Sequence, residues 1–320
     1  MLYRNLFLPL LLLFSAGLAA QAGPLDAAER DTLDAAVPRL SALTETIYTD
    51  STEAARFGAC REFIRELVDV LAQPNSFSYD FGEVPGLSVT YAPDSTFRIF
   101  SWELYVDRDI YRHYGAIQMN EEQLVLTPLV DRGDYWLENP ENAIVGADNW
   151  LGYVVYDIVA AGEYRGTPYY FVFGYDSYEG YRRQKVLDVL SFDGEGKAQF
   201  GLPVFYTFDE NQTLLADRAR MTLVYGAEAT VALRYDPEQG GVVYENLIMM
   251  PGSYGEGPVN MPDGSYRMLK LEDDGLWHEV EQVFTHKYEE APREVPKPSE
   301  GRDILGRGKT PRGEGEGGGN

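Results

Sequence analysis

The chain has 320 residues, of which 44% are hydrophobic and 13% aromatic, enough for a sizeable core, so a disordered body is excluded. Its 27 basic and 51 acidic residues give a formal net charge of −24. Such a surface repels phosphate backbones and anionic headgroups, which makes nucleic acid and membrane surfaces poor partners and suits solubility in a salty medium.

Arg4 precedes an apolar run, Leu6–Leu18, and the small-residue stretch Ala19-Ala20-Gln21-Ala22. This is the tripartite pattern of a secretory signal peptide over 1–22, cleaved after Ala22 or after Ala20. The run falls short of the roughly 20 apolar residues that a membrane helix needs, and no later segment approaches that length. No transmembrane span is expected, and the mature chain is expected to be exported, periplasmic or extracellular. A single cysteine, Cys60, permits no intramolecular disulfide. An exported protein of this size without disulfides points to a bacterial source.

Residues 23–75 read as a helical hairpin. Leu33, Val37, Leu40, Leu43 and Ile47 recur on one helical face, with Pro38 predicting a kink or a split. Asp50 and Glu53 have capping-box spacing, which predicts a second helix from Asp50. Its apolar stripe is Phe57, Cys60, Ile64, Leu67 and Leu71, and Pro74-Asn75 ends it. Cys60 on that stripe reads as a packing residue.

From about residue 86 the period changes from 3.6 to 2, as in Phe100, Trp102 and Leu104 alternating with Ser101 and Glu103. Further runs cover 110–119, 122–130, 152–161, 168–175, 184–192, 198–206, 219–226, 229–236, 242–249, 265–271 and 276–284. Turn signals separate many of them, among them Tyr164-Arg-Gly-Thr167, Asp193-Gly-Glu-Gly196 and Asp273-Asp-Gly275. Connections this short join antiparallel neighbours. The expected fold is therefore mainly β, α+β overall. The helical hairpin precedes a large antiparallel meander of about a dozen strands over 76–290, closed as a barrel, packed as a sandwich or fanned like an irregular propeller. No internal repeat is evident. Residues 291–320, rich in Gly, Pro and charge, read as a disordered tail.

Several stretches share a wording: Asn75-Ser-Phe-Ser-Tyr79, Ala92-Pro-Asp-Ser-Thr-Phe-Arg-Ile-Phe-Ser-Trp102, Phe173-Gly-Tyr-Asp176, Lys185-Val-Leu-Asp-Val-Leu-Ser-Phe192, Gly201-Leu-Pro-Val-Phe205 and Val243-Tyr-Glu-Asn-Leu-Ile248. In these the chain resembles a family of uncharacterised exported bacterial proteins. The resemblance implies a β-rich, exported protein and brings no established activity.

Chemical motifs are sparse. His113, His278 and His286, with Cys60, show none of the spacings that converge zinc ligands on one strand or helix. No Gly-x-Ser-x-Gly elbow exists, Pro251-Gly-Ser-Tyr-Gly255 having the wrong spacing. Gly308-Lys309-Thr310 lacks the first glycine of a phosphate loop. Asp131, Asp134, Glu138, Glu141 and Asp148, and again Asp176 and Glu179, do not follow calcium-loop spacing and read as solvated faces. No metal or cofactor is expected.

The distinctive feature is aromatic loops. Residues 131–150 form a long connection with Tyr135, Trp136 and Trp150, and residues 174–182 carry Tyr175, Tyr178 and Tyr181 beside Asp176. Long loops in compact domains tend to be functional. Asp134, Tyr135, Trp136, Trp150, Tyr175, Asp176 and Tyr178 are the candidate ligand-binding residues, with rings that stack on a sugar or anchor a protein partner. The other reading is that Trp136 and Trp150 plug the open end of the β body. The expected function is a non-catalytic exported binding or envelope-associated protein recognising a carbohydrate or a protein. The alternative is a carboxylate-dependent hydrolase of polysaccharide using Asp134, Asp176 and Glu179.

Overall fold

The computed structural model describes residues 20–107, 110–133, 140–208, 213–252, 255 and 257–281. Most of the signal peptide, the loop residues Asp134, Tyr135, Trp136 and Glu138, His286 and the tail lie outside the described residues.

Helix α1 (Ala27–Thr49) begins in a full capping box. The Asp26 carboxylate takes the Glu29 N–H at 2.8 Å, and Glu29 takes the Asp26 N–H at 2.9 Å. The helix runs through Pro38 as one element and is not split there. Helix α2 (Glu53–Leu71) starts from Thr52, not Asp50. Asp50 instead ends α1, and its Oδ1 accepts the Thr52 N–H and hydroxyl, each at 2.8 Å. The Asp-x-x-Glu capping box forms at Asp26, where the expected helical hairpin begins, and at Asp50 the carboxylate caps the turn between the helices instead.

Sixteen strands follow among the described residues. They are β1 (Ser88–Tyr91), β2 (Phe97–Asp107), β3 (Ile110–Met119), β4 (Leu126–Val130), β5 (Val145–Gly146), β6 (Val154–Tyr164), β7 (Thr167–Glu179) and β8 (Arg182–Phe192). After them come β9 (Ala198–Phe200), β10 (Phe205–Phe208), β11 (Leu214–Arg218), β12 (Met221–Gly226), β13 (Leu233–Asp236), β14 (Gly241–Pro251), β15 (Pro258–Leu271) and β16 (Trp277–Glu281). They form a helix-facing sheet β1-β2-β3-β4, a central sheet β5-β9-β8-β7-β6 with β12 also on β8, and an outer sheet β11-β10-β16-β15-β14-β13. The predicted turn Tyr164–Thr167 joins β6 to β7, with Arg165 and Gly166 both at positive φ (53° and 81°), the conformation that matches the twist of a two-residue hairpin. One pair departs from the antiparallel expectation: β10 lies parallel to β16, Phe205 opposite Trp277, covering the edge of β16 away from β15.

Three apolar clusters separate four layers. Leu33, Leu40, Ile47, Cys60, Phe63 and Leu67 of the helices pack on Phe100, Trp102 and Leu104 of β2. Phe63 meets Trp102 edge to face at 5.1 Å. Cys60 is buried here, as its stripe predicted, and burial raises its thiol pKa. On the other face of β2, Phe97 and Ile99 pack against Tyr170 and Val172 of β7 and Val186 and Leu190 of β8. The alternate residues Phe171, Phe173, Leu187 and Val189 then face Phe205, Val242, Leu269 and Trp277 of the outer sheet. Strands β2, β7 and β8 are thus buried on both faces. That is why Tyr169–Phe173 of β7 is a continuous apolar run, while on β2 and β8 the polar residues Arg98, Ser101 and Asp188 are buried with hydrogen-bond partners. The body is a stack of sheets. Among the described residues no helix is long and apolar enough to cross a membrane.

The layers also bury charge. Arg98 of β2 is fully buried, donating to Gln118 Oε1 (2.9 Å), Tyr79 O (2.6 Å), Tyr91 Oη (2.6 Å) and Ser76 O (2.8 Å). Its guanidinium stands 4.6 Å from the Phe100 ring centroid and 5.3 Å from those of Phe77 and Phe81. Burial lowers its pKa to about 10, and these acceptors and ring faces are what keep the cation tolerable.

Candidate functional site

Between the helix-facing and central sheets the inward rows change character along each strand. On β2 the row runs Phe97, Ile99, Ser101, Glu103, Tyr105, and on β3 it runs Ile117, Gly115, His113, Tyr111. Glu103 pairs directly with His113, and Tyr105 with Tyr111. On β7 the facing row is Tyr170, Val172, Gly174, Asp176. Each row starts apolar, passes through a small residue and ends in an ionisable one. Three strands therefore place Glu103, His113 and Asp176 together at the end of one interlayer space.

His113 is 6% exposed. Its Nε2 lies 3.3 Å from Asp176 Oδ1 and 3.7 Å from Glu103 Oε2, and its Nδ1 lies 3.5 Å from Asp131 Oδ2. Asp131, just past β4, is fixed by two backbone donors, the His113 N–H at 2.8 Å and the Gly133 N–H at 2.9 Å. Gly152, at φ +85°, closes over it, since a Cβ there would stand 2.5 Å from Asp131 Oδ1. Ser177 at the β7 bulge donates to Glu103 Oε1 at 2.9 Å. Burial by itself pushes the His113 imidazole down, but Asp131, Glu103 and Asp176 outweigh it and hold its pKa up at about 10. For Glu103 and Asp131 burial works upward, and the contacts with His113, with Ser177 or Gly133 adding to them, prevail and hold both below the usual carboxylate range.

Directly outboard on the same face stands a tyrosine pair. Tyr105 and Tyr111 lie with ring centroids 5.6 Å apart, Tyr105 40% exposed and Tyr111 half-buried. Burial, and then the charge of Glu103, raise the Tyr111 pKa. The site thus offers carboxylates with ring faces beside them at the mouth of the interlayer space.

The residues expected to bind ligand are scattered. Asp176 is part of the cluster. Tyr175, its neighbour, points to the opposite face of β7 by strand alternation, opposite Lys185 of β8 in the register. Trp150 is fully buried, its ring 4.8 Å from that of Tyr153 and packed among Val145, Leu129 and Phe200. It is a core residue, which takes it out of any recognition surface. The backbone of Tyr178 lies in β7, and Asp134, Tyr135 and Trp136 fall outside the described residues. Asp131 and Asp176, which read as solvated faces, are instead largely buried against His113, whose lack of a ligand spacing within one strand hid its partners, and Glu103, Tyr105 and Tyr111 carry no local motif at all. The signal available was the ionisable residue at the end of each inward row.

No protein-family model, curated protein or solved structure matches this chain.

Proposed function

We propose that this is an exported, non-catalytic binding protein that recognises a carbohydrate at the mouth between the helix-facing and central sheets. The observation that carries the reading is the pair Tyr105 and Tyr111, partly open and directly outboard of Glu103 and His113 on the face that Asp176 of the central sheet meets. Flat rings cover the apolar face of a sugar, and adjacent carboxylates accept from its hydroxyls. A panel of soluble oligosaccharides titrated into the full chain should include a binder. Tyr105→Ala and Tyr111→Ala should each weaken it by roughly 10-fold or more, the scale of a truncated hot-spot aromatic. Absence of any binder at millimolar sugar, or affinity unchanged in both variants, overturns the reading. Release of reducing ends from a polysaccharide would favour the hydrolase instead.

The exported setting rests on the N-terminal pattern and on the wording shared with exported bacterial proteins. N-terminal sequencing of protein recovered from the producing cell should start at Gly23 or Gln21. A chain beginning at Met1 in the cytosol contradicts export.

A further inference from the structure

The distances around His113 do not suit a cage built only for a proton. Charge-assisted N–H···O contacts close to about 2.7–2.9 Å, yet Asp176 Oδ1 and Glu103 Oε2 stand 3.3 and 3.7 Å from its Nε2. Nε2 of His113 and Oε2 of Glu103 are buried without a hydrogen-bond partner among the described residues. One donor atom each from Glu103, His113 and Asp176 lies within 4.8 Å of the others. A tetrahedral ion with bonds of about 2.0–2.2 Å needs donor edges of about 3.3–3.6 Å, which the two Nε2 distances bracket.

We propose that Glu103, His113 and Asp176 form a binding site for a divalent first-row transition cation of the zinc type, with Asp131 holding the imidazole from behind. Asp131 on Nδ1 is the carboxylate–histidine–metal arrangement that fixes a ligating ring, and its own two backbone donors leave it little freedom. One imidazole with two carboxylates suits zinc better than calcium, which takes six to eight oxygens. Binding exchanges the proton on Nε2 for the ion, and the proton passes to solvent. Glu103 and Asp176 come from different sheets, so the ion also ties the helix-facing sheet to the central one.

The test uses the full chain, freed of metal with a chelator and titrated calorimetrically with zinc chloride in excess magnesium, which occupies exposed carboxylates. One zinc per chain is expected, and cobalt(II) in its place should show the visible absorption of a four- or five-coordinate site. Because His113→Ala removes a buried ring and can fail to fold, the decisive variants are the near-isosteric Glu103→Gln and Asp176→Asn, with circular dichroism confirming the fold. Both should lose more affinity than Asp131→Asn, for which a loss of about 10–100-fold is expected. His278→Ala, at the exposed pair His278–Asp274, should change nothing. No saturable site in excess magnesium, wild-type affinity in both Glu103→Gln and Asp176→Asn, or loss of binding in His278→Ala overturns the proposal. The titration contains no sugar, so failure of the carbohydrate reading leaves its outcome intact.

Discussion

Replacing Asp188 with alanine should cost about 3–5 kcal/mol of folding stability, the scale for breaking a buried ion pair from one side. Asp188 of β8 is fully buried, and so is its partner Arg220, whose Nε stands 3.1 Å from Asp188 Oδ1. The carboxylate also takes the Val189 N–H at 2.8 Å and the Tyr153 hydroxyl at 3.1 Å. Arg220 in turn donates to Ala143 O at 2.9 Å and to Pro140 O, tying the chain ahead of β5 to the central sheet. In Asp188→Ala the guanidinium stays in an apolar layer without its counter-charge, and Tyr153 loses an acceptor. A urea melt of the variant beside the native chain measures the loss. The double change Asp188→Leu with Arg220→Met should recover much of it, because replacing both charges with apolar groups removes the desolvation penalty that the single change exposes. A single-variant loss under about 1 kcal/mol would mean that water reaches the pair and that the layer is not closed there.

Trp150→Ala should cost about 3–5 kcal/mol by opening a cavity in a packed core. The ring is wholly inside, between the ends of the helix-facing and central sheets, with Leu129, Val145, Tyr153 and Phe200 around it. Its backbone bridges Asp131, and the Arg132 N–H donates to Trp150 O at 2.8 Å. Loss of the ring should therefore also loosen the carboxylate behind His113. Trp150→Phe should lose clearly less, since most of the volume remains. A denaturant melt separates the outcomes: a loss under 1 kcal/mol for Trp150→Ala would place the ring at an open surface and return it to the candidate recognition residues.

The helical hairpin, the switch of period near residue 86 and most of the strands were legible in the residues alone. Those signals are local, since a stripe such as Leu33, Leu40 and Ile47 must face a core, and Arg165-Gly166 must turn, whatever lies beyond them. Burial of Cys60 followed from the same stripe. Short strands without a periodic run of their own, such as β5 and β11, were not legible, and neither was the true start of α2, where Asp50 had two backbone roles open to it.

The stacking of three sheets emerges from the assembled layers alone. Continuous apolar runs such as Tyr169–Phe173 state that both faces are buried and not against what. The site was beyond reach for the same reason. Glu103 and His113 are neighbours by the register of one hairpin, but Asp176 reaches them from another sheet, more than sixty residues along the chain. The parity of a strand then divided Tyr175 from Asp176 and sent one to each face. Which of two adjacent residues faces a site is set by which sheet packs on which face, and that is a property of the assembled layers.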